Sequence, residues 1–168
     1  MPTPEFVLDL RRHVGHAPLW LSAATAVVLR DADAGTEVLL VRRSDNGRWT
    51  PTAGIIDPGE EPAATAVREV QEETGVSCVV ERLTWVYAGE PVLHVNGDQA
   101  QYLELVYRCR WTGGEPYAAD DESSEAGWFP IESMPEMTPQ HRARVLSALA
   151  PDAPWHGREE GLARAGRV

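Results

Sequence analysis

Apolar positions along the chain change period several times, and each change marks an element. Phe6, Val7, Leu10 and Val14 recur at helical spacing, which predicts a short helix over 5–14. After Pro18, the run LWLSAATAVVLRD is almost continuously apolar between polar flanks, the pattern of a buried strand. The turn residues DADAG (31–35) separate it from TEVLLVRR (36–43), a second strand, so the pair predicts a hairpin. A turn at SDNG (44–47) leads through Pro51 into a glycine-rich entry to a helix over 62–74. Pro62 stands in the first turn of that helix, where a missing N–H costs nothing, and Gly75 follows its last residue.

Two long strands come next, 77–89 and 99–111, divided by a turn at 96–98. An acidic stretch over 118–126 is read as a loop, and GWFPIESMP as a short strand running into a loop. Thr138 caps a final helix over 139–149. The last residues, 151–168, are rich in Pro, Gly and Arg and are expected to be loosely ordered. The organisation is a helical extension over 1–17, one domain over 18–150 and a tail over 151–168. Helices among mostly hairpin-connected strands give an α+β class, a mixed sheet between helices.

Composition narrows the chemistry. The chain of 168 residues carries a formal net charge of −11, which disfavours general nucleic-acid binding and suits a protein that holds divalent cations. All 15 basic residues are arginine, so lysine nucleophiles, Schiff bases and a P-loop lysine are excluded. Cys78 and Cys109 lie in apolar strands and read as buried free thiols. The five histidines show no zinc-ligand spacing. No apolar run approaches the roughly 18 residues of a membrane span, and the first ten residues carry acids and no basic region. The expectation is a cytoplasmic protein without membrane contact.

The candidate chemistry sits in GIIDPGEEPAATAVREVQEETGV, residues 54–76. Glu69, Glu72 and Glu73 are spaced i, i+3 and i+4, so a helix places them on one face, where like charges repel. A hard divalent cation offsets that repulsion, because Mg²⁺ and Mn²⁺ prefer carboxylate oxygens. Arg68 is expected to fix an acid of the preceding loop, such as Glu60, and a glycine carbonyl, that of Gly54, to be a further ligand.

This segment resembles the Nudix box, G-x5-E-x7-R-E-U-x-E-E-x-G-U with U aliphatic. Gly54, Glu60, Arg68, Glu69, Val70, Glu72, Glu73, Gly75 and Val76 meet every position. A chance match is on the order of one in a million or rarer. One departure is the entry PTAG, where many members have PGG.

The resemblance implies a Nudix α/β/α sandwich over about residues 20–150. It also implies a hydrolase that uses Mg²⁺ or Mn²⁺ and water to cleave a diphosphate linked to some moiety X. By the family pattern Glu72 and Glu73 are the first metal ligands, with Glu69 beside them. For the general base, members differ between a box glutamate and one on a later loop. Glu125 and Glu115 are the candidates outside the box, with Glu122 near them. Arg42 or Arg43 could hold a phosphate, and Trp49 could stack on a base or pack in the core.

Pro91 lies some fifteen residues past the box, as in members resembling ADP-ribose pyrophosphatases. That resemblance implies a small nucleotide substrate, ADP-ribose or a sugar nucleotide. The alternatives are a nucleotide-sanitising (d)NTP pyrophosphohydrolase and a non-catalytic sensor of the same fold. A homodimer would be in keeping with the family.

Overall fold

The computed structural model describes residues 3–94, 96–151 and 153–167. Its elements in chain order are α1 (Glu5–Val14), β1 (Leu19–Ala32), β2 (Gly35–Arg43), β3 (Trp49–Thr50), β4 (Thr52–Ile55) and α2 (Pro62–Thr74). β5 (Ser77–Ala88), β6 (Val92–Leu93), β7 (Gln99–Gly113) and β8 (Ser123–Pro130) follow. A 3₁₀ turn (Ile131–Ser133), α3 (Pro139–Leu149), β9 (Trp155–His156) and α4 (Arg158–Ala165) complete the described chain.

One mixed sheet joins the strands in the order β3-β2-β1-β7-β5-β9, with β4 paired to β1, β6 to β7 and β8 to β2. β1 and β7 run parallel over eleven residue pairs, from Leu19–Ala100 to Leu29–Arg110, while β1–β2 and β5–β7 are antiparallel. Alternation along the strands splits the core in two. Ala24, Ala26, Val28 and Leu39 face α2 through Ala66 and Val70. Val27, Leu29, Val38, Leu40, Trp85 and Val106 face α3 through Ala143, Val145 and Ala148. The helices therefore lie on both faces of the sheet, the expected sandwich. Small residues at Ala24 and Ala26 leave room for α2 to approach β1 closely.

β4 sets the position of the box. It pairs with the middle of β1, Ala24 opposite Gly54 and Thr25 opposite Ala53, which holds the glycine entry at the centre of the sheet beneath α2. Gly75 closes α2 with φ of 69°, a left-handed turn that glycine adopts without strain.

Two regions differ from the sequence reading. β8 begins at Ser123, inside the stretch read as an acidic loop, because residues 123–130 pair with β2 as a ladder despite their acids. The tail is also ordered over most of its length. Trp155 pairs beside Trp85 in a parallel bridge and its ring stacks edge-on at 6.0 Å. The Trp85 indole N–H donates to the Gly157 carbonyl at 2.9 Å, and Gly161 of α4 lies flat against the Trp85 ring. Composition signalled a loosely ordered tail, but one tryptophan and a bare glycine dock the segment on the core. Among the described residues no helix is long and apolar enough to cross a membrane.

Candidate active site

α2 presents its acids at three depths. Glu69 is 1% exposed, Glu73 is buried at 6%, and the Glu72 side chain remains 46% exposed. Glu69 lies directly over Gly54, where any β-carbon would collide with its carboxylate. The box glycine is thus required by packing: its missing side chain is the space that the Glu69 carboxylate fills.

Arg68 organises this acidic cluster. Its Nε and Nη2 donate to the two Glu60 oxygens at 2.8 and 2.9 Å, a bidentate contact, and Nη1 donates to Glu69 at 2.8 Å and to Glu72 at 3.1 Å. The predicted brace to Glu60 is present, and the same guanidinium also holds two box glutamates. The hydrogen bond from Arg68 keeps the Glu60 carboxyl at about 2, well below its ordinary range. Burial pushes Glu69 up to about 7 against the pull of Arg68. Burial also lifts Glu73 to about 8, helped by the negative charges of Glu69 and Asp120. The Glu73 carboxylate accepts from the Ala53 N–H at 3.3 Å and faces the Ser123 hydroxyl at 3.5 Å.

These groups suit a hard divalent cation. Two buried carboxylates at neighbouring positions are costly to ionise together, and a bound cation removes that cost. Glu69, Glu72, Glu73 and the Gly54 carbonyl are oxygen donors of the required class. Among the described residues no three acidic side chains already form a closed cage, because Glu72 is drawn to Arg68.

The other residues singled out by sequence fall in different places. Arg43 lines the cleft with Glu73 and Glu122, and forms a bidentate pair with Asp45 at 2.9 and 2.7 Å. Arg42 donates to Glu125 at 2.7 Å across the β2–β8 pairing, at the same end of the sheet. Trp49 packs edge-on against Phe129 at 4.8 Å on the core. Glu115 is exposed and lies 3.8 Å from Arg30. Its loop passes the C-terminal end of α2, where the Tyr117 N–H donates to the Thr74 carbonyl at 3.2 Å and the Ala119 N–H to the Glu73 carbonyl at 3.0 Å.

Tertiary structure adds residues that no motif marked. His141 and Arg144, one turn apart on α3, line the cleft beside Thr50, Ala53 and Ser123. Arg144 is buried and pairs with Glu104 at 2.9 Å and the Tyr87 hydroxyl at 2.9 Å. The only sequence signal was Glu104, an acid standing at an inward position of a long strand.

A mixed sheet between helices, with a glycine entry packed under an acid-bearing helix, is the sandwich that the resemblance of the box implies. The chain belongs to the Nudix family: the NUDIX domain matches residues 20–149. It is 36% identical over 135 residues to the putative nudix hydrolase 1 of Caenorhabditis elegans, covering 77% of this chain and 34% of that protein. It is 34% identical over 148 residues to the 8-oxo-dGDP phosphatase of Mus musculus, covering 85% of this chain and 40% of that protein. The chain thus spans about a third to two fifths of the length of these curated relatives. Among solved structures, an ADP-ribose pyrophosphatase from Streptococcus suis has the same fold, with a TM-score of 0.60 at 22% identity, covering 82% of this chain and 98% of the other.

Proposed function

We propose that the protein is a Mg²⁺- or Mn²⁺-dependent hydrolase that cleaves the diphosphate of a nucleoside diphosphate linked to X, with ADP-ribose or a sugar nucleotide as the first substrates to try. The observation that carries this reading is the complete box, folded so that Glu69 is buried against Gly54 while Glu73 opens toward a cleft lined by Arg43. Glu69, Glu72 and Glu73 would hold the cation. When bound, it supplies charge neutralisation and Lewis acidity to the diphosphate.

The chain's own groups do the rest. Arg68 fixes the box loop through Glu60 and orients Glu69 and Glu72. Arg43 places positive charge on the wall opposite α2. A water attacks phosphorus, the phosphoanhydride bond breaks, and the water's proton passes to a carboxylate. Glu72, the most exposed of the three box acids, is the first candidate for that proton. Glu125, which accepts from Arg42 at 2.7 Å, is the second. The products are a nucleoside monophosphate and phosphorylated X.

A second reading, hydrolysis of oxidised nucleoside diphosphates or triphosphates, is favoured by the likeness to the mouse 8-oxo-dGDP phosphatase. The test is a panel of ADP-ribose, UDP-glucose, 8-oxo-dGDP and 8-oxo-dGTP with Mg²⁺ or Mn²⁺, read by release of the monophosphate. Glu72→Gln should lower turnover by about 100-fold or more. A Glu72→Gln protein as active as wild type sinks the assignment, and a wild type inert across the panel favours a sensor.

A further inference from the structure

Gly75, the last glycine of the box, does more than close α2 with a left-handed turn. A β-carbon built there would stand 2.3 Å from Cε1 of Tyr117, so the bare α-carbon is the seat of that ring. Gly114 approaches the same residue: its own β-carbon would lie 2.9 Å from the Gly75 carbonyl oxygen. Tyr117 is nevertheless 60% exposed. Among the described residues its hydroxyl has no hydrogen-bond partner, so the ring is what ties this side chain to the protein.

The last carbonyls of an α-helix have no partner within the helix. In α2 two of them are met by the segment after β7. The Tyr117 N–H donates to Thr74 and the Ala119 N–H to Glu73, so the backbone of a box acid is itself held. The other end of the segment is tied to the residue after β2. The Ser44 N–H donates to the Glu122 carbonyl at 2.8 Å, and the Ser44 hydroxyl to the Asp121 carbonyl at 2.8 Å. Residues 117–122 thus form a strap over the C-terminal end of the box helix. Ser123, the next residue, places its hydroxyl 3.5 Å from the Glu73 carboxylate.

The strap stays there against repulsion. Asp120, Asp121 and Glu122 are consecutive acids, and the charges of Asp120 and Glu122 bear on the Glu73 carboxyl. Like charges drive the strap away from the helix. The two backbone bonds and the Tyr117 ring on Gly75 hold it down.

We propose that Tyr117 is a positioning residue: its ring, latched on Gly75, keeps the strap on α2 and so fixes the last turn from which Glu73 reaches the cation. The inference rests on the metal-dependent reading above. Groups that orient a metal ligand without touching the metal set its affinity by about 10- to 100-fold.

Wild type, Tyr117→Phe and Tyr117→Ala are compared, with thermal melts to confirm folding. Mn²⁺ binding is titrated through the electron paramagnetic resonance signal of the free ion. Tyr117→Ala should bind Mn²⁺ about tenfold or more weakly. Its kcat/KM should fall at limiting Mn²⁺ and recover at saturating Mn²⁺. Tyr117→Phe keeps the ring and should match wild type. Unchanged Mn²⁺ affinity in Tyr117→Ala overturns the proposal. So does a loss of activity that saturating Mn²⁺ fails to recover, which marks a merely structural role. A loss shared by Tyr117→Phe overturns the latch, because the hydroxyl is then what matters.

Amide hydrogen exchange at Ala119 reads the strap without any metal. Its protection should be lost in Tyr117→Ala and kept in Tyr117→Phe. Equal protection in all three proteins overturns the latch. A wild type that binds no Mn²⁺, with Ala119 protection still lost in Tyr117→Ala, keeps the latch and sinks the metal reading.

Discussion

At Gly54 one absent methyl group decides where the Glu69 carboxylate can sit. A β-carbon there would overlap that carboxylate, and Glu69 has no room to retreat because it is buried under α2. Gly54→Ala should therefore lower kcat/KM by about 100-fold or more while the circular dichroism spectrum stays native, since the backbone at this position needs no positive φ. Retention of full activity would mean that Glu69 does not have to occupy this place. The box glutamates and Arg68 were legible from spacing, because the 3.6-residue period fixes which side chains share a helix face. His141 and Arg144 were not. Their i, i+3 spacing on α3 is as common on a plain surface helix as in a site, and only the fold brings them to Glu73.

At the scale of elements, the α3 face of the sheet is closed by a segment that composition marked as a loosely ordered tail. Trp85 is fully buried, and Trp155, Gly157 and Gly161 all touch its ring or bond its N–H. Trp155→Ala should destabilise the protein by about 3–5 kcal/mol in chemical denaturation, with fluorescence reporting a more exposed Trp85. A loss under about 1 kcal/mol would mean that β9 and α4 are not part of the cooperative unit. Helices α2 and α3 were readable to the residue, Pro62–Thr74 and Pro139–Leu149, because each has proline in its first turn and a defined stop. The start of β8 was not, because acids at 122 and 125 mask a strand whose identity comes from pairing with β2.

For the whole molecule, the cleft depends on α3 lying across the sheet with a neutral histidine and a buried ion pair beneath it. In the folded protein His141 titrates near 4, against an ordinary value near 6.5, through burial and the neighbouring Arg144, Arg43 and Arg48. Between those values the unfolded chain binds more protons, so this group's contribution to stability rises with pH across the interval and is lost on acidification. Compared with His141→Gln, wild type should lose up to about 3 kcal/mol as pH falls from 6.5 to 4, measured by urea unfolding of both proteins. Parallel pH curves would place the imidazole in solvent.

The sequence by itself determined the α+β class, the identity of the box and the bracing of its loop by Arg68. All three follow from local periodicity and from residues within one short segment. Tertiary structure alone decided that Arg43 and not Arg42 lines the cleft, that Glu115 pairs with Arg30, and that α3 supplies further walls. Those outcomes depend on strand register and on the parallel pairing of β1 with β7, contacts between residues some eighty positions apart, whose energies no local pattern encodes.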